Sequence, residues 1–136
     1  MRKIVASGPV IIENGRLLVS KDPKDDFYKI PGGTIKPGET LEQTCIRKVK
    51  EETNANIEIL KPLSTLVINK DPQTQEEMKI SLHHYKARLK NPGELRPGEG
   101  IIEIKWLSLG DIKEGKYPVA PNINYLIEQG DIQRKY

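Results

Sequence analysis

The residues of this chain best suited to chemistry crowd into positions 32 to 52. Two adjacent carboxylates, Glu51 and Glu52, close a segment of helical apolar spacing, and the glycine loop Pro31-Gly32-Gly33 precedes it. Glycine allows tight backbone turns and lets a ligand approach the main chain closely. Paired carboxylates beside such a loop form a hard oxygen site of the kind that Mg²⁺ and Mn²⁺ prefer, with backbone carbonyls and phosphate oxygens as further ligands. On a wheel of about 100° per residue, Leu41, Cys45 and Val49 share one stripe with Ile46 beside it, and that stripe is the expected buried face. Thr44, Arg47, Lys48, Glu51 and Glu52 occupy an adjoining arc of about 140°. Without the loop, Glu-Glu at a helix end reads as a solvated face. With it, the pair becomes a candidate metal site.

The spacing says more. Gly33 is followed after five residues by Glu39, after seven more by Arg47, and then by Val49, Glu51 and Glu52. Together with Ile30-Pro31-Gly32 and Pro37-Gly38-Glu39-Thr40, this resembles the Nudix box, G-x5-E-x7-R-E-U-x-E-E-x-G-U with U a bulky aliphatic. A weaker likeness extends to Glu103-x-x-Trp106, which is similar to a late strand of that family. The resemblance implies an α+β Nudix fold, a mixed β-sheet sandwiched between α-helices, over a single domain at 1–136 with its box at 33–55. It also implies a metal-dependent hydrolase that cleaves the pyrophosphate bond of a nucleoside diphosphate linked to another moiety, by water attack at phosphorus. The Gly32 carbonyl, Glu51 and Glu52 are then the ligands of Mg²⁺ or Mn²⁺. Arg47 braces the carboxylates, and Gly33 and Glu39 are structural. The implied catalytic set is Glu51, Glu52, Arg47 and a general base from a later loop. Glu94, Glu99 and Glu103 are the candidates for that base. Glu99 is favoured because Arg96-Pro97-Gly98-Glu99-Gly100 is a loop of the mobile kind that carries catalytic groups on a rigid scaffold.

The departures from the box are informative. Lys48 stands where the family has glutamate, and the wheel puts it between Glu51 and Glu52. An ammonium there favours the ionised carboxylates but competes with a metal for the same oxygens. The alternative reading is therefore a slow or inactive Nudix-fold module that binds nucleotide without turning it over. Asn54 replaces the closing glycine and suits a left-handed C-cap, and Ala55 replaces the last aliphatic. Substrate class stays open among nucleoside triphosphates, sugar nucleotides and dinucleoside polyphosphates. Pro72 lies near a proline of the sugar-nucleotide pyrophosphatases but reads equally as a turn residue after Asp71.

The elements that must position these groups are legible in outline. Two β-rich runs at 4–12 and 16–20 flank Asn14-Gly15, a strong hairpin signal. A short strand is expected at Phe27–Ile30. A helix is expected over Leu41–Thr53, with Thr40 as N-cap and Gln43 as its capping-box partner. Two long strands at 57–68 and 78–89 follow, then a Pro/Gly-rich loop from Asn91 to Gly100 and a strand at Ile101–Leu107. Ser108 caps a short helical turn, and Pro121 and Gly130 bracket a last helix. His83 and His84, adjacent on a strand, point to opposite faces and cannot share a metal. Cys45 and Trp106 read as core, and Lys79, Lys86 and Arg88 as a solvated strand face.

Composition bounds the rest. The chain has 136 residues, 30% of them charged, and a formal charge of +3. That balance is compatible with an anionic small-molecule nucleotide but is far from the basic stripe of a nucleic-acid binder. No apolar run is long enough for a membrane helix, and Ile4-Val5-Ala6 is too short for a signal peptide. The single cysteine agrees with a reducing cytoplasm. Nothing decides between a monomer and a homodimer.

Overall fold

The computed structural model describes residues 2–71, 74–91 and 94–133, so Pro72 lies outside the described residues. Its elements are β1 (Arg2–Val10), β2 (Ile12–Glu13), β3 (Arg16–Lys21), β4 (Gly33–Thr34), α1 (Leu41–Thr53), β5 (Ile57–Pro62), β6 (Leu66–Lys70), β7 (Glu77–Leu89), β8 (Glu103–Ser108), α2 (Leu109–Lys113) and α3 (Pro121–Glu128). One sheet runs β4-β1-β7-β5, with β6 also on β7. A second runs β2-β3-β8. β1 is parallel to β7 while β4, β5 and β6 pair antiparallel, so the larger sheet is mixed.

The Asn14-Gly15 hairpin forms as expected: Asn14 and Gly15 both have positive φ (52° and 74°), and Glu13 pairs with Arg16 across the turn. α1 begins with the full capping box between Thr40 and Gln43 and ends on Asn54 at φ 64°, the left-handed cap that asparagine tolerates. Pro121 opens α3, and Gly130 follows its end at φ 82°. Ser108 caps α2 by accepting from the Asp111 amide.

Three expected strands differ from what is seen. The run at 57–68 is two strands, because the chain leaves the sheet at Leu63-Ser64-Thr65. β5 pairs with the 85–89 end of β7 and β6 with its 77–82 half. The break is held by polar contacts that no strand ladder offers: the Ser64 amide donates to the Asp131 carboxylate at 3.1 Å, and His84 Nδ1 lies 2.9 Å from the Ser64 carbonyl. Phe27–Ile30 makes only single bridges, Ser20 to Lys29 and Tyr28 to Val119. The last strand starts at Glu103 rather than Ile101, and Ile102 is exposed.

Alternation along the strands builds two cores. Val10, Leu17, Val19 and Leu107 pack with Leu109, Ile112, Ile123 and Leu126 from α2 and α3. Ile11, Leu18, Ala87 and Leu89 pack with Cys45 and Val49 from α1. Adjacent strand residues point to opposite faces, so neighbours such as Leu17 and Leu18 fall in different cores. The β layer therefore lies between α1 on one side and α2 with α3 on the other, the sandwich that the resemblance implies. Each fully buried Leu or Ile contributes roughly 1.5–3 kcal/mol.

Candidate functional site

The site is assembled where α1 meets the loop at 30–39. Ser7 pairs with Gly33, which ties that loop to β1. Here glycine is a steric requirement. Gly32 has φ 155°, and a Cβ on it would come within 2.4 Å of the Ser7 carbonyl oxygen and 2.8 Å of Gly8 Cα. The loop is then clamped to the helix by Glu39. Arg47 donates Nε to Glu39 Oε2 at 2.5 Å and Nη2 to Oε1 at 2.9 Å, and the Thr44 hydroxyl and Lys36 amide donate to Oε1 at 2.8 and 3.0 Å. The Arg47 guanidinium, with these further donors, holds the Glu39 carboxyl down at about 2. Arg47 also donates to the Thr34 carbonyl at 3.3 Å and to Glu51 at 3.2 Å, so it braces loop and helix together.

Glu51 and Glu52 have different surroundings. Glu51 is exposed, whereas Glu52 is buried at 7% exposure and is not part of a solvated face. Burial opposes ionisation of Glu51, but Arg47 and Lys48 outweigh it and hold the carboxyl below its ordinary value. For Glu52 burial dominates and raises the carboxyl, against the opposing pull of Lys48, the Gly32 amide and Lys29. The Gly32 amide lies 3.4 Å from Glu52 Oε1. The Lys48 ammonium sits between the two, 3.4 Å from Glu51 Oε1 and 3.5 Å from Glu52 Oε2, as the helical wheel suggests. The two carboxylates thus converge on one cation, the chain's own ammonium. A two-carboxylate set with adjacent backbone fits a single hard cation. Among the described residues no group of three or more acidic, histidine or cysteine side chains could hold a metal, so backbone and substrate oxygens would have to complete its coordination.

The wheel is off in two places. Ile46 is exposed at 42%, and Leu41 is only half-buried, because the buried face of α1 is Thr44, Cys45, Val49, Glu52 and Thr53. Cys45 is fully buried, and that burial pushes its thiol up to about 12, in keeping with a core role. Trp106 is only partly buried, against the α1-side core.

The candidate bases are separated by the fold. Glu103 accepts from the Tyr28 hydroxyl at 2.7 Å and is committed to that contact. Glu94 is exposed beyond the helix cap. Glu99 follows a segment docked on the end of α1: the Gly98 amide donates to the Glu52 carbonyl at 2.8 Å and the Arg96 amide to Thr53 at 3.1 Å. The Glu99 side chain is exposed.

A cleft of about 190 Å³ opens beside Gly32 and Gly33, and Ser7, Lys29, His83, His84 and Asn122 are its polar lining. The Asn122 amide lies 3.0 Å from His84 Nε2, and burial holds the His84 imidazole below its ordinary value. Lys29 pairs with Asp22 and, at 3.2 Å, with Asp25. His84 is thus a buried strand residue and His83 a partly exposed one whose Nδ1 lies 3.3 Å from the Thr65 hydroxyl. The sequence offered no sign that Lys29 or Asn122 belongs here. A lysine before Ile-Pro-Gly and an asparagine after a helix-opening proline are ordinary surface signals, and only the tertiary fold, with Lys29 bridged to Ser20 and Asn122 set on His84, brings both to the cleft.

Comparison with known proteins bears on the family and the fold. The family model described as NUDIX domain matches residues 1–128. A putative 8-oxo-dGTP diphosphatase of Bacillus subtilis is 25% identical over 101 residues, which are 74% of this chain and 63% of the relative, so the chain spans less than two thirds of that protein's length. The MutT NUDIX hydrolase of Burkholderia pseudomallei superposes with a TM-score of 0.80 at 24% identity, covering 95% of this chain and 98% of that one. A bifunctional NMN adenylyltransferase/ADP ribose pyrophosphatase of Francisella tularensis, solved with AMP and a manganese ion, superposes at 0.68 with 23% identity over 93% of this chain and 42% of its own. With a family model matched over nearly its whole length and the fold to go with it, the chain belongs to the Nudix family.

Proposed function

We propose that this protein is a Mg²⁺- or Mn²⁺-dependent hydrolase that cuts the pyrophosphate bond of a nucleoside diphosphate carrying a further group. The observation that carries this reading is the convergence of Glu51 and Glu52 on one cation position beside the glycine loop and the cleft. The Gly32 carbonyl, Glu51 and Glu52 would hold the metal, which supplies charge neutralisation at the diphosphate and a more acidic attacking water. The chain's own residues do the rest. Arg47 and Glu39 keep the helix and loop in register, so the two carboxylates keep their separation. The cleft is smaller than the roughly 300–1,000 Å³ of whole-ligand sites, so it takes one part of the substrate, the nucleobase, against Leu82, Ile30 and Ala120. Asn122 and Lys29 offer polar contacts at that base. Glu99, carried past the end of α1 by the docked Gly98, takes the proton from the attacking water.

The B. subtilis relative's name supports a purine nucleoside triphosphate as the first substrate to try. A phosphate-release screen across nucleoside triphosphates, sugar nucleotides and dinucleoside polyphosphates, with Mg²⁺ and with Mn²⁺, tests the reading. Turnover that chelator abolishes is the expected result. Glu52→Gln should remove most of it and also Mn²⁺ binding, while Glu99→Gln should lower kcat, by roughly 10²–10⁴-fold for a lost general base, and leave Mn²⁺ binding intact. Lys48 in the cation position favours one other outcome, nucleotide-dependent thermal stabilisation with no product, and that result would replace the hydrolase by a binding module.

A further inference from the structure

The Lys48 ammonium stands where the proposed metal would go, and the fold has made room for it. Its stem crosses Gly33: a Cβ there would come within 2.5 Å of Lys48 Cε and 3.1 Å of Cδ, so a residue larger than glycine would push the stem aside. Gly33 also lines the cleft. The stem therefore runs along the rim between the carboxylate pair and the space a nucleotide would enter. One end of the travel is set by Glu51 and Glu52, at 3.4 and 3.5 Å from Nζ.

We propose that Lys48 is a tethered exchange cation, which fills the carboxylate pair when no metal is bound and shifts to the substrate's phosphate when a metal takes its place. This rests on the reading of Glu51 and Glu52 as metal ligands. The argument is one of competing partners. A metal ion arriving alone must evict an ammonium from two carboxylates into water, where hydration is its only compensation. A metal arriving with a diphosphate brings the evicted ammonium a new anionic partner within reach of the same flexible stem. Lysine suits both ends, because its ammonium is a point charge with three donors on four rotatable carbons and does not demand the planar match of arginine. The consequence is thermodynamic. Lys48 weakens metal binding to the free protein and nucleotide lifts that penalty, so nucleotide tightens metal binding and by reciprocity the metal tightens nucleotide binding by the same factor.

The test is Mn²⁺ binding by titration calorimetry and electron paramagnetic resonance, with and without a nucleoside triphosphate whose α,β-bridging oxygen is a methylene. Wild type is compared with Lys48→Met, which keeps an apolar stem over Gly33, and with Lys48→Gln in case the methionine variant folds poorly. Both variants should bind Mn²⁺ alone more tightly than wild type, on the order of tenfold, and the factor by which the analogue tightens Mn²⁺ should shrink by a similar amount. Without metal, analogue affinity should be the same in all three proteins, because Lys48 is then held by the carboxylates. Equal Mn²⁺ affinity in all three, together with loss of Mn²⁺ binding in Glu52→Gln, overturns the exchange while the metal site stands. Failure of Mn²⁺ to bind any of the proteins, analogue present or not, overturns both.

Discussion

Glu39 and Glu52 show how position decides what a carboxylate does. Glu39 is saturated with donors from Arg47, Thr44 and Lys36, and its carboxyl is held at about 2 against an ordinary 4.5. A group whose folded value is depressed adds stability above its unfolded value, and loses it as pH falls through the folded one. Glu39 should therefore stabilise the protein fully above about pH 4.5, the unfolded value, and lose that contribution on the way down to about pH 2. Glu39→Gln should melt lower than wild type at pH 7, and the difference should close on acidification over that window. Melting curves at half-unit steps from pH 7 to 2 check it, and a gap that persists unchanged at pH 2 would mean that Glu39 acts by shape and not by charge. Glu52 has no such shell. Its burial makes its charge costly, which is the condition under which a cation, whether ammonium or metal, is strongly favoured beside it.

Among the elements, α1 is the one on which the site depends at both ends. Its N-terminus is fixed by the capping box and by the Glu39–Arg47 clamp, and its C-terminus by the left-handed Asn54 and the docked segment around Gly98. Gly98 is there for lack of space: a Cβ on it would lie 1.8 Å from the Glu51 carbonyl oxygen and 2.9 Å from its carbon. Backbone cannot yield as a side-chain tip can. Gly98→Ala should therefore lift the 96–100 loop off the helix, destabilise the protein by about 1–3 kcal/mol, and lower kcat far more than it changes Mn²⁺ affinity. Urea unfolding and Mn²⁺ titration of the same preparation separate the two effects. If kcat and Mn²⁺ affinity fall together, the loop supports the carboxylates themselves and the assignment of Glu99 as base weakens.

For the molecule as a whole, the cleft joins parts of the chain that are far apart in sequence. Ser7 and Gly8 on β1, the loop at 29–33, Leu82 to His84 on β7, and Ala120 and Asn122 at α3 meet in one wall. The parallel pairing of β1 with β7 sets Ser7 beside His83 and Gly8 beside His84, so a strand from the start of the chain and one from its middle share that surface. Asn122→Ala should leave metal binding and kcat near wild type and raise KM about fivefold, the size of one ordinary hydrogen bond lost. Steady-state kinetics on whichever nucleotide the screen selects reads this directly, and an unchanged KM would move the base out of the cleft.

The sequence by itself determined the local parts. The Asn14-Gly15 turn, the Thr40–Gln43 box, the Asn54 cap and the Gly33-to-Glu52 spacing are all set by residues within a few turns of one another, and each appears in the fold as the residues imply. The place of Lys48 between Glu51 and Glu52 was legible for the same reason, since helical geometry alone puts i, i+3 and i+4 on one face. What the sequence could not decide depended on partners distant along the chain. The run at 57–68 looked like one strand because its own residues favour extended backbone. It is split because Asp131 and His84, which are 67 and 20 residues from Ser64, take its backbone groups away from the ladder. Glu52 was legible as a candidate ligand from its spacing but not as a buried carboxylate, because the groups beside it, the Gly32 amide at 3.4 Å from its Oε1 and the Gly98 amide on its backbone carbonyl, come from distant loops. Lys29 and Asn122 carry no local signal at all. They entered the site through packing, which is a property of the assembled layers and of no segment taken alone.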